Sequence, residues 1–297
     1  MRFSKMHGLG NDFVMIDCLQ SPMPPEEQMS ALSEAVCDRH FGIGGDGLIL
    51  LLPDESADYR MRMWNPDGSE SEMCGNGIRC FAKYLFDAGL VDSDSVSVAT
   101  AKGLQRLEIQ TGDSRPGDEE LQVRVDMGMP RLSRSEIPMS AVDGQFGGAG
   151  QQVVNQELLV GDNTYNITAV SMGNPHVVIF VDDVETVSLK EIGLNIEHHE
   201  AFPERTNVHF VQVVGPQKLW MRTWERGAGD TLACGTGACA VAVAAALNGK
   251  LPERRALVHL PGGDLDIEWA ANNHVYMTGP ASTVFSGTLD EGFLKSL

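Results

Sequence analysis

Cys74 and Cys234 stand in matching frames 160 residues apart, each followed by glycine, a polar residue and a second glycine. Around the first the chain reads Met61-Arg62-Met63-Trp64-Asn65, then Glu70, then Cys74-Gly75-Asn76-Gly77. Around the second it reads Met221-Arg222-Thr223-Trp224-Glu225, then Asp230, then Cys234-Gly235-Thr236-Gly237. An echo lies upstream of each: Gly10-Asn11 leads into Val14-Met15-Ile16, and Gly173-Asn174 leads into Val177-Val178-Ile179. Repetition on this scale predicts two similar half-molecules facing each other, each presenting one thiol.

A helical apolar pattern begins just behind each cysteine. A thiol at a helix mouth feels roughly half a positive charge and several unpaired backbone N–H groups, which favours the thiolate. Glycines at 75, 77, 235 and 237 let the backbone approach a bound carboxylate closely. Two such loops would grip one carboxylate and set one sulfur on each side of the neighbouring carbon. One thiolate then removes a proton from the stereocentre while the other thiol supplies one to the opposite face. Such a reaction requires neither cofactor nor metal ion, and the chain carries no motif for pyridoxal phosphate. It also contains no Cys-x-x-Cys and no zinc-ligand spacing.

Other polar residues near these frames have two readings each. His176 either orients a thiol or relays its proton, or is simply a hydrogen-bonded strand histidine. Glu225 and Arg226 either hold the ammonium and carboxylate of a substrate or are solvated surface charges. Asn11, Asn65, Asn76 and Asn207 suit turns as well as a binding cleft, and Asn65-Pro66-Asp67-Gly68 contains a turn signal. Cys18, Cys37, Cys80 and Cys239 lack the glycine frame and read as small apolar packing residues.

The elements that must position the thiols follow from periodicity. Strands are predicted over 11–17, 48–52, 61–64, 174–182 and 219–224, with a meander over 96–109 and 121–125. Helices are predicted over 78–86, ending at Gly89, and over 238–247, ending at Gly249. The second is almost wholly Ala and Val, so it should run through the centre of its domain; Lys83 and Asp87 suggest a wetter face on the first. Loops rich in Gly, Pro and charge are expected over 111–120 and 143–152. The reading is an α+β fold with two pseudo-symmetric α/β domains, each a mostly antiparallel sheet wrapped around a central helix, and an active site in the interdomain cleft. The expected domains are 1–127 plus 281–297, carrying Cys74, and 128–280, carrying Cys234.

A net charge of −19 and the lack of any Lys/Arg cluster argue against nucleic acid as a partner. The longest apolar run, 238–247, falls far short of the ~20 residues of a membrane span. The N-terminal stretch has no apolar core of a signal peptide, which predicts a cytoplasmic protein with reduced cysteines.

Taken together, the motifs resemble the diaminopimelate epimerases, cofactor-independent amino acid epimerases of bacterial lysine and cell-wall synthesis. The resemblance runs from Lys5-Met6-His7-Gly8-Leu9-Gly10-Asn11-Asp12-Phe13 to Tyr276-Met277-Thr278-Gly279-Pro280. Its most specific parts are Asn65-Pro66-Asp67-Gly68-Ser69-Glu70, Met73-Cys74-Gly75-Asn76-Gly77, Gly173-Asn174-Pro175-His176 and Glu225-Arg226-Gly227-Ala228-Gly229. It implies interconversion of LL- and meso-diaminopimelate with Cys74 and Cys234 as the acid and base pair, commonly in a homodimer. It maps substrate contacts onto Asn11, Asn65, Asn174, Asn207, Glu225 and Arg226, and carboxylate-binding loops onto Gly75, Asn76, Gly235 and Thr236. Many members carry Gln where this chain has Gly47. Proline and hydroxyproline racemases share the cysteine loops but usually have His at the place of Asn76.

Overall fold

Short β-branched runs separated by Gly and Asn turns dictate strands, and two segments without β character fold as helices around which those strands collect. The computed structural model describes residues 1–295 except 113, 114, 119 and 143–145, so the loops expected over 111–120 and 143–152 lie partly outside the described residues. The chain divides into two compact units, Met1–Asp126 with Thr278–Leu297, and Met127–Met277.

The first unit contains β1 (Arg2–Gly8), β2 (Asn11–Asp17), α1 (Met29–Cys37), β3 (Gly47–Leu52), β4 (Tyr59–Trp64), β5 (Glu70–Ser71), α2 (Gly75–Asp87), β6 (Ser95–Thr100), β7 (Gly103–Gln110) and β8 (Glu120–Asp126). The second contains β9 (Gln156–Val160), β10 (Asn163–Ser171), β11 (Pro175–Phe180), α3 (Leu189–Glu197), β12 (Asn207–Gly215), β13 (Lys218–Glu225), β14 (Gly229–Thr231), α4 (Gly235–Leu247), β15 (Arg255–Leu260) and β16 (Gly263–Trp269). β17 (Val275–Thr288) is divided between the units after Met277, and α5 (Glu291–Lys295) follows it.

The duplication seen in the sequence is reproduced strand by strand. β1 and β2 pair antiparallel, as do β10 and β11. β2 then pairs parallel with β3, as β11 does with β12. Parallel neighbours need a crossover, which α1 supplies in one unit and α3 in the other. β3 and β4 pair antiparallel, like β12 and β13. Trp64 lies opposite Glu70 and Trp224 opposite Asp230, so even the register of the hairpin before each cysteine is the same. Parallel pairs β4–β6 and β13–β15 complete the correspondence. The sheets are thus mostly antiparallel with parallel steps at equivalent places.

Both cysteine helices have 13 residues and are buried along their length. In α4, Ala238 to Ala245 are at most 2% exposed, as an apolar circumference requires. The wetter face expected for α2 from Lys83 and Asp87 is corrected at Lys83, which is buried, while Asp87 is half-buried. Arg79 and Lys83 are 0% and 1% exposed. Lys83 turns to Asp87 one turn on, at 2.6 Å, and Asp87 also accepts from the Gly117 N–H and the Thr283 hydroxyl. Arg79 donates to the Pro280 and Gly75 carbonyls. Strands surround the helix, so its cations are buried and bonded to carbonyl and carboxylate oxygens inside rather than turned to water. α1 packs Leu32 and Val36 on Val14, Leu48 and Leu50, and α3 packs Leu189 and Ile196 on Ile179 and Phe210.

Candidate active site

Cys74 is the residue immediately before α2, with extended backbone (φ −128°, ψ 123°) and a half-buried side chain. Its thiol faces the Asn11 amide oxygen at 3.8 Å, and the Asn76 amide donates to that same oxygen at 2.9 Å. The Asn11 amide nitrogen donates to Asp46 at 2.7 Å, so its orientation is fixed from both ends. Asp46 is in turn held by Arg39, which also forks onto Asp12, and Lys5 pairs with Asp12 from the other side. Asn11, Asn76 and Cys74 are therefore brought together at the mouth of α2, with Gly75 as the first helical residue.

Burial alone would raise the Asp12 carboxyl, but the Arg39 and Lys5 cations beside it hold it down at about 2. A depressed native pKa contributes stability that is complete above the ordinary value of 3.8 and lost as pH falls toward about 2. Denaturant unfolding measured across that window should show a shallower acid loss in Asp12→Asn than in the parent chain; equal slopes would contradict the pairing.

Asn65 ends its hairpin strand with its amide on the Ser69 hydroxyl at 3.0 Å, while its carbonyl accepts from the Gly68 N–H and the Ser33 hydroxyl. It forms the turn and keeps a half-buried side chain. Gly47 begins β3 in a fully packed place. A Cβ there would stand 2.8 Å from the Met63 methyl and 3.0 Å from the Trp64 carbonyl oxygen, so the space a longer side chain would need is taken by Met63.

In the second unit Cys234 occupies the same place before α4, with φ −120° and ψ 101°. It is only 4% exposed. The Gly237 N–H points at its sulfur, as the helix mouth predicts, yet the thiol is pushed well above its ordinary pKa. Burial is the main cause, and the Glu225 carboxylate in hydrogen-bonding contact adds to it. The expected thiolate preference is thereby reversed at this sulfur: loss of water outweighs half a helix charge. Glu225 itself accepts from the Thr231 hydroxyl.

Thr236 brings its hydroxyl to 3.8 Å from the Cys234 sulfur, and the Asn174 amide donates to that hydroxyl at 3.4 Å. Asn174 also meets His176 Nε2 at 2.9 Å, and His176 Nδ1 meets His209 Nε2 at 2.9 Å. Burial, then the neighbouring His209 and Arg226, hold His176 well below its ordinary pKa, so it is a neutral imidazole. His209 is pushed down to about 3 by burial alone. Gly237 must be glycine: a Cβ would lie 2.4 Å from the His209 ring and 3.0 Å from the Cys234 sulfur.

Asn207 and Arg226 are placed differently from the rest. Asn207 is 4% exposed; its amide nitrogen donates to the Pro175 carbonyl and its oxygen accepts from the Arg226 N–H, so it ties β11 to the turn after β13. The exposed Arg226 guanidinium donates to the Glu204 carbonyl at 2.9 Å. Glu197, 2% exposed at the end of α3, accepts from Trp224 Nε1 and from the Gly227 N–H and so fixes that turn from beneath. Asp46, Glu197, His209 and Thr223 went unmarked in the sequence. Asp46 had a signal, a carboxylate inside the glycine run Gly42-Ile43-Gly44-Gly45-Asp46-Gly47; the others sit in ordinary helix and strand patterns.

A half-buried thiol beside two amides and a buried thiol beside a carboxylate and a hydroxyl can exchange protons at carbon. Among the described residues, no grouping of three or more His, Cys, Asp and Glu side chains could hold a metal ion.

The chain resembles solved structures of a phenazine biosynthesis protein of the PhzF family from Bacillus anthracis (TM-score 0.67, 17% identity, covering 98% of this chain and 99% of that one) and a probable proline racemase from Agrobacterium radiobacter (TM-score 0.66, 16% identity, covering 98% and 93%). At such identities the likeness shows the fold. Curated relatives lie much nearer in sequence. The diaminopimelate epimerase of Pelotomaculum thermopropionicum is 54% identical over 97% of this chain and 98% of its own length. That of Desulfitobacterium hafniense is 52% identical over 99% and 100%. The family profile described as diaminopimelate epimerase matches residues 3–133 and 168–284, which include both cysteine helices and every candidate side chain above. With half of all positions shared over the full length and both thiol frames inside the match, the chain belongs to the diaminopimelate epimerase family.

Proposed function

We propose that the protein is a cofactor-independent isomerase that interconverts LL- and meso-diaminopimelate by two-base proton transfer at the α-carbon. The observation that carries this reading is that Cys74 and Cys234 each precede a 13-residue helix at the same place in the two duplicated units. Each unit supplies one thiol to the same carbon. One sulfur, as thiolate, takes the α-proton; the other, as thiol, delivers a proton to the opposite face. Cys234 rests protonated, because burial and Glu225 disfavour its charge. It is the acid when substrate of one configuration binds and the base when the other does.

The backbone N–H groups of Gly75 and Asn76, and of Gly235 and Thr236, hold the substrate's α-carboxylate and stabilise charge as the carbanion forms. Asn11, Asn65, Asn174 and Asn207 with Glu225 and Arg226 fix the ammonium groups and the distant carboxylate. His176 supports Asn174. The reading includes the substrate as sole ligand, a homodimer, and a cytoplasmic place in lysine and peptidoglycan precursor synthesis. Among the described residues, no helix is long and apolar enough to cross a membrane.

Solvent deuterium provides the test. Incubated in D2O, the enzyme should place deuterium at the α-carbon of diaminopimelate and leave proline untouched. Exchange into proline alone would assign the chain to the racemases that share its fold.

A further inference from the structure

Thr223 and His209, which the proposed reaction does not use, begin a continuous series of hydrogen bonds that ends at the Cys234 sulfur. Thr223 Oγ1 meets His209 Nδ1 at 3.0 Å, and His209 Nε2 meets His176 Nδ1 at 2.9 Å. His176 Nε2 meets Asn174 Oδ1, Asn174 Nδ2 meets Thr236 Oγ1, and Thr236 Oγ1 meets the sulfur. Thr223, His209 and His176 are at most 2% exposed, so water does not compete for these partners.

The far end of the series decides its direction. An ionised carboxylate only accepts, so the Cys234 thiol donates to Glu225 and its sulfur accepts from the Thr236 hydroxyl. Thr236 then accepts from the Asn174 amide, which places the Asn174 oxygen toward His176 as a taker of its Nε2–H. A neutral imidazole with Nε2–H has a bare Nδ1. His209 must fill it with its own Nε2–H, and the Thr223 hydroxyl must then donate to His209 Nδ1. Every donor along the series points the same way, and such aligned bonds polarise one another.

We propose that His209 and Thr223 are positioning residues that lock His176 in its Nε2–H tautomer and so keep the Asn174 amide and the Thr236 hydroxyl with their hydrogens directed toward the Cys234 sulfur. The proposal rests on Cys234 serving as acid and base. When that thiol gives its proton to carbon, it leaves a thiolate buried beside a carboxylate, and a donor already aimed at the sulfur stabilises it without reorganisation. Were both rings in the opposite tautomer, the Asn174 amide would turn over, Thr236 would give its hydrogen to Asn174, and the sulfur would receive none.

Long-range proton–nitrogen NMR on the full chain labelled with 15N-histidine reads the tautomers directly. Both His176 and His209 should be neutral with hydrogen on Nε2; hydrogen on Nδ1 of either ring overturns the proposal. In steady-state assays with diaminopimelate, His209→Leu should lower kcat by roughly tenfold to a hundredfold, with KM changed by less than about twofold. His209→Gln, which keeps both a donor and an acceptor, should recover most of that loss at a comparable melting temperature. Wild-type kcat in His209→Leu, or a loss in His209→Gln as deep as in His209→Leu, would mean that the ring only packs. The NMR measurement needs no turnover, so normal epimerisation by a Cys234→Ala variant would sink the thiol chemistry while the tautomers are judged separately.

Discussion

Cys234→Ala should lower kcat for epimerisation about a thousandfold or more, and Cys74→Ala should do the same, while both variants still bind diaminopimelate in a calorimetric titration. Alanine keeps the buried backbone and helix mouth but offers no group that can hold the proton. Two-base chemistry makes a sharper demand than lost turnover. A variant with one thiol left can still take the α-proton from the isomer that faces it and return deuterium from the same side. Exchange without inversion is therefore expected, with each variant favouring a different isomer. Inversion at the parent rate by either variant would refute the scheme, since one group cannot serve both faces of a held carbon. Alanine at Cys18, Cys37, Cys80 or Cys239 should leave kcat unchanged, because these thiols make no part of either frame.

Asp87→Ala should destabilise the chain by about 3 kcal/mol, visible as a lower denaturant midpoint with an unchanged slope. Lys83 is 1% exposed in the middle of α2, and both carboxylate oxygens of Asp87 lie 2.6 Å from its ammonium. Removing the carboxylate strands a positive charge among strands, whereas removing the lysine does not create the same problem. Lys83→Met, of similar volume and apolar, should cost less than about 1 kcal/mol, since it eliminates the buried charge together with the need for a partner. If the two single variants were equally destabilised, the cost would lie in packing rather than in the stranded charge.

How much of this was legible beforehand depends on the range of the interactions involved. The strands at 11–17, 48–52 and 61–64 and the two cysteine helices follow from local periodicity and turn residues, which act over a few positions. α1 and α3 were not foreseen. α3 carries Gly193 in mid-helix, which lowers its propensity; the reason appears only when Trp224 is seen packed 2.6 Å from where a Cβ would stand. The exposure expected for Lys83 on α2 fails for a related reason. Charge in a sequence reads as exposure, and only the surrounding strands make Arg79 and Lys83 interior residues.

At the candidate site, the sequence by itself singled out the two thiols and their glycine frames, because duplication repeats a spacing, and spacing is one-dimensional; a substrate role for the amides Asn11, Asn76 and Asn174 came only from the family resemblance. Tertiary structure alone decided how those groups are held and charged. Asp46 reaches Asn11 across 35 positions and His209 reaches His176 across 33, distances over which no periodicity speaks. Whether a helix mouth or a dry pocket sets the proton on Cys234 depends on how many atoms exclude water from it, and that is a property of packing.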